Sequence, residues 1–190
     1  MPRAGLDAAI VTDAGASVAD EIGLDRLSMS VVAERLHVKT PSLYKHVDSL
    51  AALVHRIAIL GATEVGDTVR DATQGLAGGE ALAAAAQALR AYVREHPGRY
   101  SATTSVRAST VDDPLAVALD RTFASLAAAL RGYGLAAEDE VHALRMFRSM
   151  LHGFAVLEAA GGFQMNTDVD ESFLRMIDFL DRGLREKGAR

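Results

Sequence analysis

Cysteine is absent from the 190 residues, which excludes disulfides, thiolate metal sites and a cysteine nucleophile. Proline is scarce, with four residues, and strand-like alternation is almost missing. Alanine, leucine and valine dominate instead, so the composition is all-α. No uninterrupted apolar run is long enough to cross a bilayer, and no cationic, apolar leader with a small-residue cleavage site opens the chain. A soluble, cytoplasmic protein without a membrane partner is therefore expected. Catalytic signatures are lacking too: there is no phosphate-cradling glycine loop, no Gly-x-Ser-x-Gly elbow and no pair of carboxylates flanked by apolar residues. His142 and His152 stand ten residues apart, too far for the i, i+4 arrangement that binds zinc on one helix. No catalytic residue, metal or cofactor is implied.

One absence is local. The chain carries a net charge of −5, yet no Asp or Glu occurs between Glu34 and Asp48, where Arg35, Lys39 and Lys45 fall. The same region reads as two short helices joined by a tight turn. Ser28 is an N-cap type, and Val32, Ala33 and Leu36 follow on one face at helical spacing. Thr40 and Pro41 form a second start signal, with Thr as N-cap and Pro at the first helical position. Leu43 and Val47 continue the apolar stripe, and Asp48 or Ser49 caps the next helix. This is the length and pattern of a helix-turn-helix. With Leu43 and Val47 buried, the outer face falls to Lys39, Ser42, Tyr44, Lys45 and His46, groups suited to phosphates and base edges in a major groove. Over residues 1–60, six Lys/Arg stand against seven Asp/Glu. Any field that favours DNA must therefore come from orientation, with Asp7, Asp13, Asp20 and Glu21 turned away.

Residues 6 to 60 resemble the N-terminal DNA-binding domain of the TetR/AcrR family of bacterial regulators. The carriers are an amphipathic first helix, the run from Gly23 to Met29, then Val32, Ala33, Leu36 and Val38, then Leu43, Tyr44, His46, Val47 and Leu53. The resemblance implies an all-α homodimer: an N-terminal three-helix helix-turn-helix domain over 1–48, and a larger C-terminal helical domain over 49–190 that binds an effector and dimerises. It implies a double-stranded DNA operator and a small-molecule effector as partners, with ligand binding relieving repression. Carried over by position, Ser28, Lys39, Thr40, Ser42, Tyr44, Lys45 and His46 are the DNA-binding set, with Tyr44 and His46 on phosphates. Two positions depart from the pattern. His37 occupies the turn position usually held by Gly, and a left-handed backbone is less comfortable for His. Leu50 stands where a Lys is frequent, so one phosphate contact is missing.

Further along, Leu6, Ile10, Ala14, Val18 and Ile22 predict a first helix over 4–22, closed by Gly23. Helices are expected at 49–73, 80–95, 113–132, 137–160 and 168–186, with a polar loop containing a short helix at 99–110. The helix over 137–160 is apolar nearly all round, so it and the last helix are the expected homodimer interface. Candidate effector-pocket residues are Tyr100, Arg107, Phe123, His142, Phe147 and Met150, joined by Met146 and His152; this lining suits a mostly apolar molecule with one or two polar atoms. Two other classes remain open: a helical protein-interaction module without DNA binding, and an enzyme using the hydroxyl-rich segment Tyr100–Thr110.

Overall fold

The computed structural model describes residues 5–189, which form helices and connections without a strand. In chain order these are α1 (Ala8–Ile22), α2 (Met29–Arg35), α3 (Thr40–Leu43), α4 (Leu50–Ala72), α5 (Gly78–Glu95), α6 (Pro97–Ser105), α7 (Pro114–Leu130), α8 (Ala137–Ala159) and α9 (Val169–Gly188). One-turn 3-10 helices follow α1 at Leu24–Arg26 and α7 at Arg131–Tyr133. The punctuation is local chemistry. The Asp7 carboxylate accepts the Ile10 amide (2.8 Å), the Ser28 hydroxyl that of Val31 (3.3 Å), and the Ser49 hydroxyl that of Ala52 (3.0 Å). Gly23 ends α1 at φ 88°.

The chain packs as two compact units. The first comprises the described residues up to Thr63 together with Glu95–Leu119; the second comprises Glu64–Arg94 and the residues from Asp120 onward. In the first, Val11, Val18, Leu27, Met29, Val32, Leu43, Val47, Leu53 and Ile57 form one buried cluster, which also takes in Ala102 and Leu115. The helix-turn-helix therefore shares its core with the start of α4, with α6 and with the head of α7. In the second unit, Leu82, Leu89, Leu126, Phe147, Leu151, Phe173, Ile177, Leu180 and Leu184 are buried. The Ser49 cap starts α4 at Leu50, inside the first unit, which continues along that helix to Thr63.

Three expectations need correction. The first concerns α1, whose expected first residue, 4, lies outside the described residues. Its buried face is Val11, Thr12, Gly15, Ala16, Val18 and Ala19, while Ile10, Ala14 and Ile22 are only half-buried. Small side chains face inward because the neighbours come very close: a Cβ on Gly15 would meet Leu53 Cδ2 at 3.1 Å. The second concerns α3, which ends at Leu43, with Tyr44 to His46 forming a turn; its N-cap is Lys39, not Thr40, and no side chain caps it. The Ser42 amide donates to the Lys39 carbonyl (2.8 Å), a tight i→i−3 closure that moves the start one residue earlier. The third concerns the start of the short helix expected within 99–110: it is α6 and begins earlier, at Pro97, because Pro97 ends α5 and takes the first turn of a new helix in the same step.

His37 is the one non-glycine residue with positive φ among those described, at 53°. Its amide donates to Glu34 (3.0 Å) and the next, Val38, to Ala33 (3.0 Å), so the turn between α2 and α3 requires this conformation. His37→Gly should therefore raise stability by about 1 kcal/mol, less the extra entropy of an unfolded glycine. Thermal denaturation would read this as a higher midpoint; an unchanged or lower one would show that the turn carries no strain.

Candidate nucleic-acid interface

The helix-turn-helix is held from beneath by Leu43 and Val47, which are 0% and 3% exposed. That burial fixes which side chains face outward. Lys39, Tyr44 and Lys45 are exposed, with Tyr44 at 49%, and Thr40, Ser42 and His46 are half-buried beside them. Ser28 is engaged as the α2 cap, but its hydroxyl hydrogen remains a potential donor. Positions 39 to 46 thus place two ammonium groups, two hydroxyls, a phenol and an imidazole around one short helix.

Arg35 does not join them. Its guanidinium makes a two-pronged pair with the Glu21 carboxylate at the end of α1, one hydrogen bond of which is 2.9 Å. Hydrogen bonding to Arg35 holds the Glu21 carboxyl below its usual range, against the small opposing effect of burial. Sequence reading counted Arg35 among the cations of the acid-free stretch; the pair neutralises it. Leu50, at the first position of α4, is half-buried and packs against the core of the first unit.

Residues 82–180, just over half of the chain, match the family described as tetracyclin repressor-like, C-terminal domain. The uncharacterized HTH-type transcriptional regulator YobS of Bacillus subtilis is 32% identical over 172 residues, covering 90% of this chain and 88% of that protein. The chain belongs to the TetR family of transcription regulators. Two solved structures have the same fold. BioQ with its natural double-stranded DNA operator superposes with a TM-score of 0.69 at 23% identity, over 95% of this chain and 99% of that one. A TetR variant of Acinetobacter baumannii AYE in complex with minocycline gives 0.71 at 23% identity, over 96% and 98%. The relatives are regulators, not enzymes, and no helix among the described residues is long and apolar enough to cross a membrane.

In this TetR-family regulator the DNA-facing elements are tied to the rest of the first unit by networks that sequence reading missed. The Asp20 carboxylate at the end of α1 accepts the Arg99 backbone amide (2.8 Å) and faces the Arg99 Nε (3.0 Å) and His96 Nδ1 (3.3 Å). Arg56 of α4 donates to the Thr12 hydroxyl of α1 (3.1 Å). His55 of α4 lies 3.0 Å from Asp113, whose carboxylate also accepts the Ser109 amide (2.9 Å), the Ser109 hydroxyl (3.0 Å) and the Leu115 amide (2.9 Å). The partners are up to 79 positions apart, and nothing in the local pattern of either one announces the other.

The proposed effector residues divide between the units. Tyr100 is buried in α6 and Arg107 is exposed just beyond it, both in the first unit. Phe123, His142, Phe147 and Met150 belong to the second. There Phe147 is fully buried core, Phe123 and Met150 are half-buried, and His142 is exposed. His142 lines an open cavity of about 310 Å³ between α8 and α9, with Met146, Phe179 and Lys187. A second cavity, about 430 Å³, lies at the α8–α9 connection around Phe163, Met165 and Val169. Beneath that connection Arg90 pairs with Glu158 (2.6 Å) and Asp170 (2.7 Å) and lies over the Phe173 ring (4.5 Å).

The amides of Ser109 and Leu115, then His55 and the Ser109 hydroxyl, hold the Asp113 carboxyl well below the usual range against its burial. A lowered folded-state pKa contributes stability that is present above the unfolded value, near pH 4, and is lost as pH falls towards the folded one. Asp113→Asn should lower stability at pH 7 and flatten the acid limb of the stability curve below about pH 4. Urea melts from pH 7 to pH 2 would test this; parallel curves for the two proteins would remove Asp113 from the acid response.

Proposed function

We propose that the chain is a homodimeric, ligand-responsive repressor that binds an operator through residues 1–48 and is released from it by a small, mostly apolar effector bound within 49–190. The observation that carries the reading is the acid-free outer surface of the helix-turn-helix, held outward by buried Leu43 and Val47. On it, Tyr44 and His46 contact phosphates, while Ser28, Lys39, Thr40, Ser42 and Lys45 meet phosphates or base edges. BioQ, which shares the fold, has a solved complex with its operator.

The effector reading draws support from the minocycline complex of the Acinetobacter protein of the same fold. Within the second unit, Phe123, His142 and Met150 are the candidate effector contacts, with side chains that are exposed or half-buried. The coupling to DNA runs through the first unit, where α6 is fastened to α1 by Asp20 and lies against α4 so closely that a Cβ on Gly61 would stand 2.8 Å from the Arg99 carbonyl oxygen. Any displacement of α6 must move α1 or α4, and with them the helix-turn-helix. The dimer forms through α8 and α9, whose Met146, Leu157, Leu174 and Phe179 are exposed and apolar, a pattern that a twofold four-helix contact covers. The protein acts in the cytoplasm, where its DNA is.

Fluorescence anisotropy on a labelled fragment from upstream of the protein's own gene, and on a genomic fragment pool, tests this reading. Saturable, competitor-resistant binding is expected; failure on both substrates would refute it in favour of a protein-interaction module. Tyr44→Ala should weaken operator binding by roughly tenfold or more, the loss of one charge-assisted contact per half-site, with helicity and dimerisation unchanged. Leu50→Lys should tighten binding at low salt and steepen the salt dependence by about one unit per half-site. An unchanged slope would mean that position 50 does not approach a phosphate.

A further inference from the structure

The arginines of α9 are paired along their own helix. In α9, Arg175 pairs with Glu171 (2.8 Å), Arg182 with Asp178 (2.6 Å) and Arg185 with Asp181 (2.8 Å), all at i, i+4. Helix α8 is built otherwise. No Asp or Glu occurs between Glu140 and Glu158, and within that gap Arg145, Arg148 and His152 fall at i, i+3, i+7 on one face. Arg145 and Arg148 are exposed, and among the described residues neither makes an ion pair. Val141 and Val156, 53% and 39% exposed, flank them along the same face. This face lies roughly 100° round the helix from Met146, which belongs to the apolar side.

Two further observations bear on what the face is for. The Arg148 guanidinium lies over the Phe123 ring of α7, 4.8 Å from its centroid, a cation–π contact that anchors the side chain while its N–H groups remain donors for a carboxylate-like partner. Burial, and then the Arg148 charge, push the His152 imidazole down, so this side of α8 disfavours a further positive charge.

We propose that Arg145 and Arg148, with Phe123, Val141 and Val156 around them, form a binding site for a small organic anion that carries an apolar body. The guanidinium edges take the carboxylate or phosphate, and the valines and the phenylalanine take the apolar part. This deepens the effector reading and rests on it, since Phe123 belongs to the proposed effector set; it narrows the effector to an anionic class. The binding step itself involves no DNA.

Isothermal titration of the full chain with octanoate, octanol and inorganic phosphate tests the proposal. Octanoate should bind saturably, with octanol and phosphate each at least about tenfold weaker, because each lacks one half of what the site recognises. Arg145→Gln and Arg148→Gln should each weaken octanoate by about tenfold, whereas Arg94→Gln, at an exposed arginine on α5, should not. Arg148→Lys keeps the charge but loses the planar fork and should fall between wild type and Arg148→Gln, and circular dichroism checks that each variant folds. If Arg148→Gln fails to fold, Arg145→Gln decides. Absence of saturable octanoate binding, equal binding by the double glutamine variant, or equal loss in Arg94→Gln would each overturn the site. Operator anisotropy on the same samples separates the two readings: octanoate binding without any DNA binding would sink the repressor and leave the anion site standing, and the converse would do the reverse.

Discussion

At Gly98 a Cβ would fall on the backbone of Ala19, with the Ala19 carbonyl carbon and oxygen and the Asp20 amide nitrogen all in its way. The first turn of α6 therefore touches the last turn of α1 backbone to backbone. No substitution widens that contact without moving one of the helices. Everything that holds α6 follows from it. The Arg99 amide reaches the Asp20 carboxylate only because position 98 is bare, and the guanidinium and His96 then close on the same carboxylate. Side chains of Asp20 and Arg99 are 11% and 17% exposed, a burial at which removing one partner leaves the other charge costly.

That constraint accounts for the domain anatomy better than chain order does. Sequence order puts the helix-turn-helix first and the remaining helices after it. Packing puts α6 and the head of α7 with the helix-turn-helix, because Ala102 and Leu115 are buried in the same cluster as Leu43 and Val47. His55 and Asp113 add a polar tie between α4 and the start of α7 inside that unit. The DNA-facing elements are thus braced by residues from the middle of the chain.

What was legible in the sequence was what neighbouring residues decide. Ser28 and Ser49 cap as their chemistry dictates, His37 takes the left-handed turn, and Leu43 and Val47 go inside. The errors came where a distant partner decides. The inward face of α1 is set by Leu53, Ile57 and α6, so its alanines and Gly15 are buried ahead of its isoleucines. Arg35 looks like a DNA-facing cation until Glu21, fourteen positions earlier, is placed beside it. The tie between Arg90, Glu158 and Asp170 spans 80 positions and leaves no trace in the pattern around any one of them. The candidate DNA contacts lie close in sequence, so one short helix and its turn bring them together; the candidate effector residues come from several helices and fall in two units.

The loss of Arg35 to Glu21 changes how the interface must work. Residues 1–60 carry no excess of positive charge, and of the cations in the acid-free stretch only Lys39 and Lys45 remain without an ion pair among the described residues. Two ammonium groups can release few counterions, so such a surface favours nucleic acid only weakly without regard to sequence, with a shallow salt dependence. The other groups on this surface, the Tyr44 phenol, the hydroxyls of Thr40 and Ser42 and the half-buried His46 imidazole, are uncharged or weakly basic hydrogen-bonding groups, which act only when correctly placed. Such contacts work only if the short α3 and its turn are held in one orientation. The positive φ at His37 and the bracing of α1 and α4 supply that hold. A surface with so little free positive charge has to discriminate by geometry more than by charge, and its geometry is only as fixed as the supports beneath it.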